Sequence, residues 1–239
     1  MPIFLYLLDW GVRESITGSL SLVFMVALGS SLSHKKSGHA ATTVANAGRI
    51  TAIPFAVVGT VLAGILLDKV GEVGIKILAS AILIFVIERT ITRMRKEQSE
   101  LDTPPEFEPL KKKYQIGTAL AGTASGILGI GGGAILVTLN KSLLKMDAHK
   151  AAGTSYQIGS TIVPVALLSH IILDGIFYDL LDSVGFVLVI LIPLLAFIFA
   201  FSGAKYAIQY LPDKVVTIVF LIAVSLSLIR YFIDFATMI

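Results

Sequence analysis

A glycine-rich stretch near the middle of the chain could bind an anion through its backbone. Five of the eight residues at positions 126–133 are glycine, and each glycine costs a helix about 1 kcal/mol relative to alanine. The backbone is therefore expected to turn or break here. Backbone N–H groups freed at such a turn, and the start of the helix that follows, form a concave anion site that Cβ atoms do not obstruct. We predict that the substrate-binding residues include Gly129, Gly131, Gly132 and Gly133.

Close helix packing is the alternative explanation for glycines in an apolar segment, because small residues let two backbones approach each other. We favour packing for Gly122 and Gly126, which have the four-residue spacing of that motif. A leucine in place of Gly132 tests the binding role of the turn. We expect that substitution to abolish function while the protein still folds.

Two further groups of polar residues could bind an oxyanion through uncharged donors. Hydroxyl and amide side chains can hold such a ligand without trapping it. Hydrogen bonds between membrane helices, worth about 0.6 kcal/mol on average, explain the same residues equally well, and both interpretations stay open. The residues are Thr42, Thr43, Asn46, Thr154, Ser155 and Gln157.

Three ionisable residues lie close to these donors in the sequence. Arg49 is ten residues into an apolar segment, where a charge is expensive and usually functional. We predict that Arg49 attracts the anion, with contact to lipid headgroups as the alternative. His39 and His149 begin two helices, and we interpret them as interfacial caps in preference to pH-sensitive gates.

The composition identifies an integral membrane protein. The chain of 239 residues is 55% hydrophobic and 15% charged, with a mean hydropathy of +0.86, whereas soluble domains are about 25% charged. It has no cysteine, so it has no disulfide or thiolate metal ligand. We expect an all-α, multi-pass protein of the cell membrane without a cofactor or a metal site.

Apolar segments of about 20 residues are long enough to cross a bilayer. We predict about seven of them, at 15–33, 40–67, 73–91, 114–139, 151–173, 183–204 and 215–233. A polar stretch with two consecutive prolines separates the third segment from the fourth. The chain is therefore divided into a first membrane repeat (1–92), a polar cytoplasmic linker (93–113) and a second membrane repeat (114–239).

The two halves share a spacing that indicates an internal repeat. His39 and Pro54 are 15 positions apart, as are His149 and Pro164. Small, hydroxyl and amide residues recur between them in the same order. Secondary transporters commonly consist of two such repeats, with the ligand site at the interface between them.

The positions of lysine and arginine leave two topologies open. Basic residues cluster in four regions that the positive-inside rule assigns to the cytoplasm, at 35–36, 89–113, 141–150 and 205–214. The loop with Asp174, Asp179 and Asp182 then lies outside. In that case 114–139 enters and returns as a re-entrant hairpin, and the repeats run parallel. If 114–139 crosses once, the repeats are inverted, which is the arrangement many transporters have.

The glycine pattern and the residues after it resemble the sulfite exporter TauE/SafE family. The pattern G-x-x-x-G-x-x-G-x-G-G-G spans 122–133 and is followed by H-K-A-A-G-T-S at 149–155, with further likeness at 169–170 and 203–214. The resemblance implies a two-repeat membrane permease that moves sulfite, sulfoacetate, thiosulfate or similar organosulfonates. The first half departs from this pattern, because Ser19 and Ser21 stand where its own glycine motif is expected.

The leading hypothesis is a secondary, gradient-driven permease, with H⁺ or Na⁺ as the coupling ion. The glycines lack the Gly-Lys-Ser/Thr ending of a P-loop, so we expect no ATP use. The expected partners are the lipid bilayer, the anion and further copies of the chain, and not nucleic acid. A passive anion channel or an accessory membrane subunit is the alternative. We expect no enzyme; the remote alternative is an intramembrane hydrolase with a nucleophile and base drawn from Ser125, Ser155, His149 and His170.

Overall fold

The computed structural model describes residues 2–8, 10–97, 105–175, 178 and 186–237. Within these ranges all regular secondary structure is helical, with one 3-10 turn at Glu108–Leu110. The α-helices are α1 (Pro2–Leu7), α2 (Val12–Lys36), α3 (Thr42–Glu97), α4 (Lys111–Leu128), α5 (Gly133–Leu144), α6 (Ala148–Asp174), α7 (Phe186–Tyr210) and α8 (Asp213–Thr237).

The prediction of an all-helical, multi-pass membrane protein is confirmed. Among the described residues, five helices are long and apolar enough to cross a membrane, namely α2, α3, α6, α7 and α8. The count of seven segments stays a prediction. The start of the segment 183–204 and the two aspartates Asp179 and Asp182 lie outside the described residues.

The predicted boundary between the segments 40–67 and 73–91 coincides with a break in α3. Gly71 has φ 70° and ψ −169° inside this otherwise continuous helix, a left-handed φ that glycine adopts without a Cβ clash. The predicted polar linker 93–113 is partly helical, because α3 continues to Glu97 and α4 begins at Lys111. Residues 98–104 of that linker lie outside the described ranges.

The first part of α3 packs very closely along α4, and glycines make this contact. A Cβ atom built on Gly122 would overlap the carbonyl oxygen of Ala52, and one on Gly126 would overlap that of Ala56. On the α3 side, a Cβ on Gly59 would overlap the carbonyl oxygen of Thr123. The structure therefore gives Gly122 and Gly126 the packing role that their spacing indicates.

We expect Gly126→Ala to lower the free energy of unfolding by about 1–3 kcal/mol, the usual effect of overpacking. The added methyl group would meet backbone atoms of Ala56, Gly59 and Thr60, which move only if α3 and α4 separate. Gly64→Ala is the control, because a Cβ at Gly64 meets no atom within 4 Å. Thermal unfolding of the purified variants measures the difference, and equal melting temperatures would contradict the packing role.

The predicted segment 114–139 folds back on itself as a helical hairpin of α4 and α5. The hydroxyl of Tyr114, near the start of α4, donates to Asn140 Oδ1, near the end of α5, at 2.9 Å. The glycine run 129–132 forms the turn between the two helices. Both arms thus open towards the same end of the molecule. The re-entrant alternative requires this arrangement, and a single crossing of 114–139 would not give it.

The two helices that carry the repeated His–Pro spacing run in the same direction. At their start, the rings of His39 and His149 lie 5.7 Å apart, and the backbone N–H of Ala41 donates to Thr154 Oγ1 at 3.0 Å. Further along, α3 and α6 both reach Gly126, α3 through Thr60 and α6 through His170. A parallel repeat predicts this direction and an inverted one does not, while the repeat itself stays a prediction.

Candidate functional site

The glycine turn between α4 and α5 is buried and has a left-handed backbone. Gly129, Gly131 and Gly132 have φ values of 65°, 70° and 65°, which L-residues with a side chain rarely adopt. Ser19 Oγ of α2 donates to the Gly129 carbonyl oxygen at 2.8 Å. Ser19 lies where the glycine motif of the first half is expected, and it thus packs on the glycine turn of the second half.

Beyond the turn, α5 begins at the half-buried Gly133, and its first turn has no side-chain cap among the described residues. Gly132 occupies the N-cap position, and no described side chain caps this helix by a hydrogen bond. A Cβ atom built on Gly133 would meet no atom within 4 Å. The start of a helix carries a partial positive charge and unsatisfied N–H donors, so this position suits an anion.

Two hydroxyl groups in the adjoining stretches of α2 and α4 are buried without a hydrogen-bond partner in the described part of the chain. One is Thr17 Oγ1, and Thr17 follows Ile16, which a Cβ atom on Gly129 would contact. The other is Ser125 Oγ, one turn before Gly129 in α4. Thr17 is 2% exposed and Ser125 is fully buried. Unsatisfied buried hydroxyls are unusual in proteins and call for a ligand or water. The sequence does not distinguish these two as ligand-binding residues, because serine and threonine in membrane helices can also bond to their own backbone.

The predicted donors of α6 are buried and engaged in hydrogen bonds. Thr154 Oγ1 accepts from the Ala41 N–H at 3.0 Å, and Ser155 Oγ accepts from Asn140 Nδ2 at 3.0 Å. Gln157 Nε2 donates to Thr42 Oγ1 at 3.3 Å, whereas Gln157 Oε1 is buried and has no partner among the described residues. Thr154 and Ser155 therefore join neighbouring elements, and Gln157 retains one acceptor inside the protein.

The predicted residues at the start of α3 lie at the same end of the molecule as these donors of α6. Thr42, Thr43 and Asn46 are exposed there. Arg49 bridges α3 and α6, because its Nε and Nη2 atoms donate to the backbone carbonyl oxygen of Gln157 at 3.1 and 2.5 Å. Its Nη1 atom donates to Asn46 Oδ1 at 2.7 Å. Arg49 thus points towards α6 and is half-buried, while its predicted role in attracting the anion stays a prediction.

The structure separates the predicted site residues into two groups along α6. The glycine turn lies beside Val163, which a Cβ on Gly131 would contact at 3.1 Å. Gln157, the partner of Arg49, is six residues earlier, which corresponds to about 9 Å along the helix axis. The polar side chains around Arg49 and Gln157, called the polar group below, and the glycine turn therefore lie beside different levels of α6.

His149 and His170 make structural contacts with backbone carbonyl oxygens. His149 Nε2 bonds with the Leu211 carbonyl oxygen at 2.8 Å, and His170 Nε2 with that of Gly126 at 2.6 Å. Ser155 Oγ donates to the Ala151 carbonyl oxygen at 2.7 Å. Among the described residues, neither His149 nor His170 is hydrogen-bonded to Ser125 or Ser155, so the serine–histidine arrangement of the hydrolase alternative is not formed.

These features define a polytopic helical membrane protein with a broken helix hairpin and a polar group inside the helix bundle. Residues 1–231 match the family model of the sulfite exporter TauE/SafE, and the chain belongs to that family. It is a family of membrane transporters for sulfite and related sulfur anions, which agrees with a transport function in place of an enzymatic one. No curated protein and no solved structure matches the chain.

Proposed function

We propose that the protein moves small sulfur-containing oxyanions across the cell membrane by a secondary, gradient-driven mechanism. Sulfite, thiosulfate, sulfoacetate and similar organosulfonates are the proposed substrates. Family membership over residues 1–231 supports the substrate class. The observation that carries the proposal is the uncapped start of α5 beside open space at Gly133, because a desolvated oxyanion needs such donors.

In the proposed site, the backbone N–H groups of Gly131, Gly132 and Gly133 bind the oxyanion. The left-handed φ of Gly129 directs the chain into the turn. The hydroxyls of Ser125 and Thr17 supply further donors. Uncharged donors keep the affinity moderate, which a transporter needs because it must also release its substrate.

The polar group nearer the other end of α6 forms the proposed path to that site. Arg49 supplies the positive charge and is held by the backbone carbonyl oxygen of Gln157. The side chains of Thr42, Thr43, Asn46, Thr154 and Ser155 line this path or hold α3 against α6. The proposed coupling ion is H⁺ or Na⁺, and the proposed assembly is a homo-oligomer in the lipid bilayer.

Counterflow in proteoliposomes tests the proposal with sulfite, thiosulfate, sulfoacetate, sulfate and acetate as the panel. We expect saturable exchange of at least one sulfur anion and none of acetate, because a carrier alternates between two sides with the substrate bound. Flux that neither saturates nor shows counterflow would instead indicate a passive channel. No exchange of any anion, from protein shown to be folded, would indicate an accessory subunit.

A further inference from the structure

His170 and Asp174 form a buried hydrogen-bonded pair in the last turn of α6. His170 Nδ1 lies 2.7 Å from Asp174 Oδ2, and the two side chains are 2% and 10% exposed. His170 Nε2 donates to the Gly126 carbonyl oxygen of α4 at 2.6 Å, because a carbonyl oxygen can only accept. The pair therefore ties α6 to the first arm of the helical hairpin, and neither residue takes part in the proposed anion site.

The geometry requires one proton between His170 and Asp174. Because Nε2 donates to the Gly126 carbonyl oxygen, Nδ1 faces Asp174 either as the N–H of an imidazolium or as the acceptor of a carboxylic acid O–H. In both forms the pair carries one proton more than a neutral imidazole beside a carboxylate, and it is electrically neutral overall. Such a proton belongs to the pair as a unit.

Loss of this proton would change both the charge of the pair and its contact with the hairpin. The remaining imidazole has a single N–H, which cannot serve Asp174 and the Gly126 carbonyl oxygen at once. A hydrogen bond to a carboxylate is stronger than one to a neutral carbonyl, so the contact with Gly126 is the one lost, and the pair becomes anionic. Gly126 directly follows Ser125, whose buried hydroxyl is a donor in the proposed anion site.

The neighbouring helices carry other charged residues at this end, but none of those described forms an ion pair or a hydrogen bond with His170 or Asp174. Arg13 of α2 is paired with Asp68 of α3 in an exposed contact at 2.8 Å. The other charged residues there are Glu14 of α2, Lys69, Glu72 and Lys76 of α3, and Arg230 and Asp234 of α8. The shared proton is thus held by the pair alone.

We propose that the His170–Asp174 pair is the binding site of the coupling ion, that this ion is H⁺, and that the proton and the anion bind together. The assignment rests on the proposed function and specifies its coupling ion. An anionic pair beside the hairpin repels the transported anion, whereas the protonated pair does not. The low dielectric inside the helix bundle strengthens this repulsion. Because linkage is reciprocal, a bound anion also favours the proton.

The position of the pair suits a proton site that communicates with the glycine turn. Val163 lies beside that turn and is seven residues before His170, about 10 Å along the helix axis. Asp174 is the last residue of α6 and is followed by the exposed Gly175. The proton can therefore exchange with water at that end of the molecule, while the anion binds deeper in the bundle.

The test separates transport driven by a pH gradient from exchange at equal pH. Proteoliposomes with an acidic outside, an alkaline lumen, no anion gradient and a membrane potential held at zero receive sulfite, thiosulfate or sulfoacetate. Each of these that exchanges in counterflow is followed, and protein-free liposomes correct for passage through the lipid. We expect the wild type to accumulate the anion in the alkaline lumen, because the anion and the proton move together.

Asp174→Asn and His170→Gln remove the shared proton, and Asp68→Asn is the matched control. We expect both variants to reduce pH-driven accumulation at least about tenfold more strongly than counterflow, since exchange of one anion for another does not require the proton to leave. Glutamine can still donate to the Gly126 carbonyl oxygen but does not titrate, so His170→Gln separates the structural contact from the proton. Asp68→Asn removes an aspartate from an exposed pair at the same end and should behave like the wild type.

Counterflow without pH-driven accumulation in the wild type would overturn the proton site and leave the proposed function intact. Accumulation on the acidic side would also overturn it, as would pH-driven accumulation that survives in Asp174→Asn and His170→Gln. If one of these two variants does not fold, the other decides. An equal reduction of both activities in the variants, or the same loss in Asp68→Asn, would assign the pair a structural role only. No counterflow of any of the three anions from folded wild type would overturn the proposed function itself.

Discussion

Gly133→Leu is expected to abolish sulfite counterflow while the melting temperature stays close to that of the wild type. Gly133 is the first residue of α5, and a Cβ there meets no atom within 4 Å. A leucine side chain would fill the open space beside the first turn of α5, where we propose that the anion binds. Leucine is also a better helix former than glycine, so the substitution does not disfavour α5 itself.

The matched control is Gly64→Leu in α3, where an added Cβ also meets no atom within 4 Å. We expect this variant to keep both counterflow and melting temperature, since Gly64 belongs to α3 and to neither the glycine turn nor α5. Sulfite counterflow in proteoliposomes and thermal unfolding are measured for both. Counterflow at the wild-type rate in folded Gly133→Leu would rule out binding at the start of α5.

Gly132 is a poorer position for the same experiment, although the sequence suggests it equally well. Its φ is 65°, and a Cβ there would lie 2.5 Å from the carbonyl oxygen of Ala121. A leucine at this position strains the turn and pushes against α4. The expectation from sequence that Gly132→Leu leaves folding intact therefore does not agree with the geometry, and a loss of transport in that variant would have two explanations.

The local features of the fold follow from the sequence because their causes are local. Hydropathy locates the long helices, and the glycine run locates the break between α4 and α5 because glycine disfavours a helix and permits a left-handed φ. The charge pattern also indicated the return of the hairpin, since Lys113 and Lys141 flank it. The prevalence of inverted repeats favours a single crossing instead, and the contact between Tyr114 and Asn140 shows the return.

The partners of the polar side chains do not follow from the sequence, because they depend on how distant helices pack. Ser19 and Gly129 are 110 positions apart, and Arg49 bonds to a backbone carbonyl oxygen 108 positions away. Spacing alone does not separate a hydroxyl that accepts a hydrogen bond from a neighbouring element, such as that of Thr154, from an amide whose oxygen has no described partner, such as that of Gln157. Only the packing makes that distinction, and the binding roles of both remain predictions.

An ion pair between Lys76 and Asp234 is a further contact that hydropathy does not reveal. Lys76 Nζ lies 2.7 Å from Asp234 Oδ2, and the side chains are 5% and 15% exposed. The Tyr6 hydroxyl donates to the same carboxylate oxygen at 3.0 Å. Burial, followed by this hydrogen bond, raises the pKa of the Tyr6 phenol, so it remains protonated and acts as the donor. The three residues join α1, α3 and α8.

Lys76→Met is expected to lower the free energy of unfolding by about 3 kcal/mol, the lower end of the range for breaking a buried ion pair. The variant leaves the Asp234 carboxylate buried without the lysine, and the hydrogen bond from Tyr6 keeps the loss at the lower end. The double variant Lys76→Met/Asp234→Leu should recover most of the stability, because well-packed apolar residues often replace a buried pair without loss. Thermal or denaturant unfolding of the four proteins of this double-mutant cycle measures the coupling.

The exposed pair of Arg13 and Asp68 gives the control, because its N–O distance of 2.8 Å is similar but its side chains are 38% and 71% exposed. Arg13→Gln is expected to cost less than about 1 kcal/mol, since water screens such a pair. Equal losses in Lys76→Met and Arg13→Gln would mean that burial does not strengthen the Lys76 pair. A larger loss in Lys76→Met, recovered in the double variant, would mean that the cost comes from leaving one charge of the buried pair without the other.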